Sequence, residues 1–229
     1  MEVQGRAAPG QMKHTGETAE RIVSIFNENS RTAMEHVLQV LETSQGEKSI
    51  PAAQLIASFL QKTKGLDAGE IGRWLSFDDA LSSASLEALL NTYSFTGLKI
   101  DEALRLFLSN IRLPARLCAA ETILLAFSRH FHRSDASLSV DTMVALCLSA
   151  HLLSMNLHSG VGSFDLEDES KEKRISRLRF VQHCQQLRPE EDDVIGDFAG
   201  RLYDAIELRA IHSDVRPSTD DRTRRQQKI

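Results

Sequence analysis

With 229 residues, 41% of them apolar, and a formal charge of −5, the chain is long and apolar enough to bury a core as one large or two small domains. That balance excludes a disordered chain, and Lys and Arg scattered among acids provide no basic field of the kind duplex nucleic acid requires. Cys118, Cys147 and Cys184 are widely separated and never form a C-x-x-C pair, which fits three reduced, buried thiols better than disulfides or a metal knuckle.

Residues 1–18 carry Gly5, Pro9, Gly10 and Gly16 without periodicity and read as a flexible leader with no secretory signal. From Thr18, Ile22, Ile25 and Phe26 fit a first helix. A second runs over 30–43 with Ala33, Val37, Leu38 and Leu41 on one face and Ser30 as its cap. The polar stretch SQGEKS is a turn, and Pro51 then opens a helix in which Leu55, Ile56, Phe59 and Leu60 pack before Gly65 stops it. Asp67, with Glu70 three residues on, caps a short helix through Ile71, Trp74 and Leu75. Two further short helices are expected around 78–81 and 85–93.

After Gly97, Ile100, Ala103, Leu104, Phe107, Leu108 and Ile111 fall at i, i+3, i+4, i+7, i+8 and i+11, one stripe of a 3.6-residue period. Pro114 lacks an N–H and biases Leu113 away from the helical region, so the helix breaks near Leu113 and a new one restarts with Pro114 in its first turn. The intervening loop, Arg112 to Arg116, is held between two buried helices and can present Arg116 rigidly. The bland alternative is an ordinary surface arginine.

Ile123, Leu124, Phe127 and Phe131 face inward on the next helix. Ser139 or Asp141 caps an apolar helix whose core, 143–157, is too short to span a bilayer, and Gly160 and Gly162 end it. A charged loop over 161–173 follows. The last globular stretch carries Ile175, Leu178, Phe180, Val181 and Cys184, then Val194, Ile195, Phe198, Leu202, Tyr203 and Ile206. From 213 the polar, Arg-rich tail reads as disordered. Few alternating runs and no N-G or D-G dipeptide leave little room for sheet. The fold class is all-α, and 19–212 is the folded domain.

Several stretches resemble the Sec-seven domain, the catalytic domain of guanine nucleotide exchange factors for Arf-family small GTPases. FNENSRTAMEHVLQ resembles the family's opening helices, and IASFLQKTKGLDAGEIGRWLS its I-A-x-F-L…G-L-D-K-x-x-I-G-x-Y-L-G. FTGLKIDEALRLFLSNIRLP is close to F-x-G-x-x-I-D-E-A-L-R-x-F-L-x-x-F-R-L-P-G-E. LSAHLLSMNLHSG stands where the family has a second motif around L-N-T-D-L-H-N-P, and FVQHCQQLRPEEDDVIGDFAGRLYDAIE resembles its closing segment. The resemblance covers about residues 26–210.

This resemblance implies an elongated right-handed superhelix of about ten helices. It also implies a hydrophobic groove for the GTPase switch regions, flanked by the loop after R-L-P and by the second motif. The groove residues carried over are Arg112, Leu113, Pro114, Ala115, Ser154, Met155, Asn156, Leu157 and His158. In the family a glutamate after P-G enters the nucleotide site, competes with Mg²⁺ and repels the β-phosphate. Aligned without gaps from Asp101 through Phe131, P-G-E corresponds to Pro114, Ala115 and Arg116, so the catalytic glutamate is an arginine. A unit charge about 4 Å from a phosphate charge is worth roughly 4 kcal/mol at an effective dielectric of about 20, and reversing its sign turns repulsion into a comparable attraction.

Glu121 lies more than a helical turn beyond the loop and is no ready substitute. In the second motif Ser154 stands for the family's asparagine and Met155 for its threonine. Core packing at a helix end is the bland reading of Ser154, Met155 and Leu157, and His158 reads as a brace. His130 and His132, two apart on a helix, point to different sides and make no metal pair.

No Walker loop, nucleophile elbow, dinucleotide fingerprint or H-E-x-x-H is present, so no metal, cofactor or bond-making chemistry is expected. The partner implied is an Arf-family GTPase, met in the cytoplasm or peripherally on Golgi, endosomal or plasma membranes, with no integral membrane segment and no nucleic acid. Exchange activity is impaired by Arg116 on this reading. The alternatives are a non-catalytic Arf-binding or GDP-holding module, and a helical scaffold without GTPase binding.

Overall fold

The computed structural model describes residues 20–44, 51–159, 174–187 and 192–211, and every regular element among them is a helix. The ten helices are α1 (20–28), α2 (Ser30–Ser44), α3 (Ala52–Lys62), α4 (Ala68–Leu75), α5 (Ala80–Leu90), α6 (Ile100–Phe107), α7 (Leu117–His132), α8 (Val140–Ser159), α9 (Arg177–Leu187) and α10 (Asp192–Leu208). The leader, the loop over 161–173, Gly160 and Gly162, and the tail from 213 lie outside the described residues.

Side chains in the short connections decide where helices begin. Asn29, not Ser30, caps α2: its Oδ1 accepts from the Arg31 and Thr32 N–H groups at 3.1 and 3.2 Å. Asn29 still donates its own N–H to Ile25 O, so α1 and α2 are separated by this one residue and Ser30 is drawn inside the helix. Asp67 caps α4 as expected, with Oδ1 accepting from Gly69 and Glu70 N–H at 2.8 and 3.0 Å. The reciprocal bond does not come from Glu70, which pairs with Arg73 at 3.0 Å. Asn27 supplies it from α1, accepting from Asp67 N–H at 2.7 Å and donating to Gly65 O at 2.8 Å. Gly65 has φ +86°, the left-handed region that glycine enters without a Cβ clash.

The two short helices expected around 78–81 and 85–93 are a single helix, α5. Asp79 Oδ1 accepts from Ser82 N–H at 2.8 Å and Ser85 Oγ donates to Leu81 O at 2.7 Å. The serine side chains that break helices by competing for backbone groups are here spent on the cap and within the helix.

In α6 the whole apolar stripe is buried, but the helix ends at Phe107 rather than near Leu113. Leu108 closes it by donating to Leu104 O at 2.9 Å, and Ile111 and Leu113 reach the core from extended chain instead. Pro114 is likewise outside the following helix, which starts at Leu117 with Arg116 at its N-cap.

Contacts divide the region read as one domain into two compact units, with junctions at Gly97/Leu98, Ser109/Asn110 and Val140/Asp141. The first holds α1–α5, the loop from Asn110 and α7. Its core includes Phe26 edge-on to Phe59 at 6.0 Å, and Phe95 against Phe127 at 5.4 Å and His130 at 5.6 Å. The second holds α6, α8, α9 and α10, where α9 lies along α10 and Arg177 joins Asp204 at 2.7 Å. Within it His151 is buried on α8, and desolvation lowers its pKa to about 4, so the ring is neutral at physiological pH.

Two composition-based expectations change. Cys147 and Cys184 are buried but Cys118, in the first turn of α7, is exposed. The apolar stretch read as too short for a bilayer belongs to a longer helix: 140–158 meets the length and hydropathy of a membrane span, with 67% of it buried inside protein. That degree of burial is the pattern of a core helix.

Candidate functional site

The first unit fixes the R-L-P loop by its backbone. Arg112 donates its N–H to Ala68 O at 2.9 Å, tying the loop to the first turn of α4. One turn on, the Arg112 carbonyl lies against Gly72. A Cβ at Gly72 would overlap that oxygen outright and sit 3.0 Å from its carbon, with Pro114 Cδ at 3.7 Å. Only glycine allows this approach, and burial of Ile111 and Leu113 on either side of Arg112 completes the anchorage.

The chain emerges at Pro114, which is half-buried, and then exposes Ala115, Arg116, Leu117 and Cys118 in succession. Arg116 has φ −76° and ψ 120°, and its carbonyl accepts from Ala119 and Ala120 N–H at 3.1 and 3.0 Å. Its side chain makes no cap hydrogen bond, and the first turn of α7 contains no acidic residue. Among the described residues the guanidinium has no ion-pair partner. Leu117 is 58% exposed, although its spacing from Ala120 and Leu124 puts it on the buried stripe. Periodicity alone would have sent it to the core; it escapes because it is the first residue of the helix, beyond the packed turns.

In the second unit, the polar residues of the second motif are engaged internally. Ser154 Oγ accepts from Ile211 N–H at 3.0 Å, and Asn156 Oδ1 accepts from Ile175 N–H at 2.9 Å. His158 Nε2 lies 2.7 Å from Ile206 O, and Arg174 donates to Leu157 O at 3.1 Å. Ser154, Asn156 and Leu157 are buried, while Met155 is half-buried and His158 exposed. The end of α8 thus pins both the segment entering α9 and the end of α10.

A third fixture was not singled out from the sequence. Arg105, on α6, donates to the carbonyls of Ala205, Arg209 and Ala210, the last turn of α10 and its exit, where helix carbonyls lack intrahelical donors. Asp101 stands 3.7 Å from it. Burial lowers the guanidinium's pKa, opposed by Asp101, and an arginine remains charged there. The signal was present in D-E-A-L-R, an i,i+4 acid–base pair, but its target lies 100 residues along the chain.

The R-L-P loop is thus closed onto the I-G turn of α4, and the second-motif helix α8 comes later in the chain, within the second unit. The Sec7 domain family model matches residues 16–211. The chain belongs to that family. The ARF guanine-nucleotide exchange factor GNL2 of Arabidopsis thaliana is 38% identical over 107 residues, covering 45% of this chain and 8% of the plant protein. The crystal structure of the Sec7p catalytic domain superposes with TM-score 0.67 at 24% identity, covering 83% of this chain and 97% of that one. A Sec7 domain bound to ARF1-GDP and brefeldin A gives TM-score 0.66 at 22% identity, covering 87% and 96%. The chain spans about a tenth of the length of the curated relatives it matches.

Proposed function

We propose that this chain is a regulator of Arf-family small GTPases of the exchange-factor class, in which Arg116 replaces the glutamate that expels GDP. Family membership supports the partner class. The observation that carries the finer reading is the loop itself: fastened at Ala68 and Gly72, it exposes Arg116 with no ion-pair partner among the described residues. A cation at a helix N-terminus opposes the peptide dipoles, typically by about 0.3–1 kcal/mol, so Arg116 does not serve the fold. In the first unit, Ala115 and Arg116 of the loop and Leu117 at the start of α7 are exposed to a GTPase; in the second unit, taken by itself, Met155 and His158 at the end of α8 are the accessible second-motif residues. Leu113, Ser154, Asn156 and Leu157 act through the backbone they hold. The setting is cytoplasmic, with peripheral membrane association through the partner.

A second reading, a helical scaffold without GTPase binding, is favoured by the internal use of Ser154 and Asn156. Titrating the chain with a panel of GDP-loaded Arf-family GTPases separates the two. The proposal expects binding with little acceleration of GDP release, and a loss of about tenfold or more in affinity on Met155→Glu, which puts a charge into a half-buried apolar contact. Failure of every GTPase to bind leaves the scaffold.

A further inference from the structure

Arg116 bears on more than the loss of exchange. An exchange factor weakens GDP binding by its GTPase, and by linkage the GTPase with GDP bound must then hold the factor less tightly than the empty one does. On the resemblance drawn from the sequence, the agent of that coupling is a negative charge brought to the β-phosphate. In this chain the same loop carries a positive charge, in a setting that leaves it whole: exposed at the N-cap of α7, with no acid in the first turn and no carboxylate paired with it among the described residues. The loop is not free to withdraw it, because Arg112 N–H is bonded to Ala68 O and the Arg112 carbonyl is seated on Gly72.

We infer that this domain inverts the nucleotide preference of its class: it binds the GDP-loaded GTPase more tightly than the nucleotide-free one and slows the loss of GDP. The inference rests on the Arf reading above. Its chemistry is a guanidinium fork meeting the oxygens of a nucleoside diphosphate already seated in a partner, a charge-assisted contact that a carboxylate in the same place forbids. The site is completed by the partner's nucleotide, so the diphosphate enters as part of the GTPase and not as a free ligand. Reciprocity sets the scale: whatever factor separates the two affinities for the domain, the GTPase's affinity for GDP rises by that factor when the domain is bound.

The test is a binding measurement on the full chain and on its Arg116→Ala and Arg116→Glu variants, each against one Arf-family GTPase in GDP-loaded and nucleotide-free forms. Circular dichroism melts check that the variants are folded. The wild-type chain is expected to prefer the GDP form at least tenfold, and fluorescent-GDP release is expected to be slower at saturation than from the GTPase alone. Arg116→Ala is expected to bring the ratio close to one, and Arg116→Glu to favour the nucleotide-free form. A wild-type ratio of one, or a preference for the nucleotide-free form, overturns the inference while leaving the Arf reading intact. If neither the wild-type chain nor Arg116→Glu binds either form, the Arf reading fails and the inference falls with it.

Discussion

Gly72→Ala is expected to lower the stability of this domain by about 2 kcal/mol, the usual scale of overpacking, and to remove GTPase binding at the loop. At an ordinary helix position the substitution would stabilise by roughly 0.5–1 kcal/mol, because alanine loses less backbone entropy than glycine. Here the sign reverses, since the new methyl would occupy the space of the Arg112 carbonyl oxygen. That atom belongs to backbone also held by the Arg112–Ala68 bond, so it cannot step aside without releasing the loop. Gly196 is the internal control: a Cβ there meets the terminal amide of Gln185 at 2.8 Å, the far end of a side chain rather than backbone. Urea unfolding of both variants decides the matter. A stable Gly72→Ala protein with unchanged GTPase binding would show that the contact does not hold the loop.

The second large effect belongs to Arg105. Arg105→Met keeps most of the side chain's volume but removes the donors to the carbonyls of Ala205, Arg209 and Ala210. Charged hydrogen bonds contribute about 1.5–3 kcal/mol each, and water satisfies part of what is lost, so a destabilisation of about 3 kcal/mol is expected. Arg105→Lys should recover little, because one ammonium cannot reproduce the planar fork that reaches several carbonyls. The damage should be local before it is global. Amide hydrogen exchange should rise first over 205–211, including Ile211, whose N–H is held by Ser154 Oγ. Uniform acceleration across all helices would contradict a local clamp.

The apolar stripe of α6 was readable because helical period and burial go together, and all six of its positions are buried. The end of α6 was misplaced because burial does not require helix: Ile111 and Leu113 continue the hydrophobic pattern in extended chain. Asp67 was readable as a cap from local spacing alone. Its reciprocal partner Asn27 was not, because that bond crosses 40 residues of chain, and the cap of α2 went to Asn29 because a single residue separates two helices.

Motif letters that carry the resemblance turn out to be fasteners: Asn27 on the Gly65–Asp67 turn, Gly72 on Arg112, and Arg105 on the end of α10. Their retention explains why the fold could be recognised. On the proposed reading, activity turns on side chains that a partner can reach, exposed Arg116 and half-buried Met155, where this chain differs from the pattern it resembles. Ser154 and Asn156 are departures that lie inside, and each keeps an oxygen acceptor, for Ile211 and Ile175 N–H respectively.

The central claim is that an intact exchange-factor scaffold presents the wrong charge, and the ratio of GDP release rates from an Arf-family GTPase with Arg116→Glu and with the wild-type chain tests it most directly. Reversing a charge interaction worth roughly 4 kcal/mol leaves room for a rise of at least a hundredfold even after solvent screening, and that is the predicted result. Equal rates for the two proteins, with both bound to the GTPase, would contradict the claim.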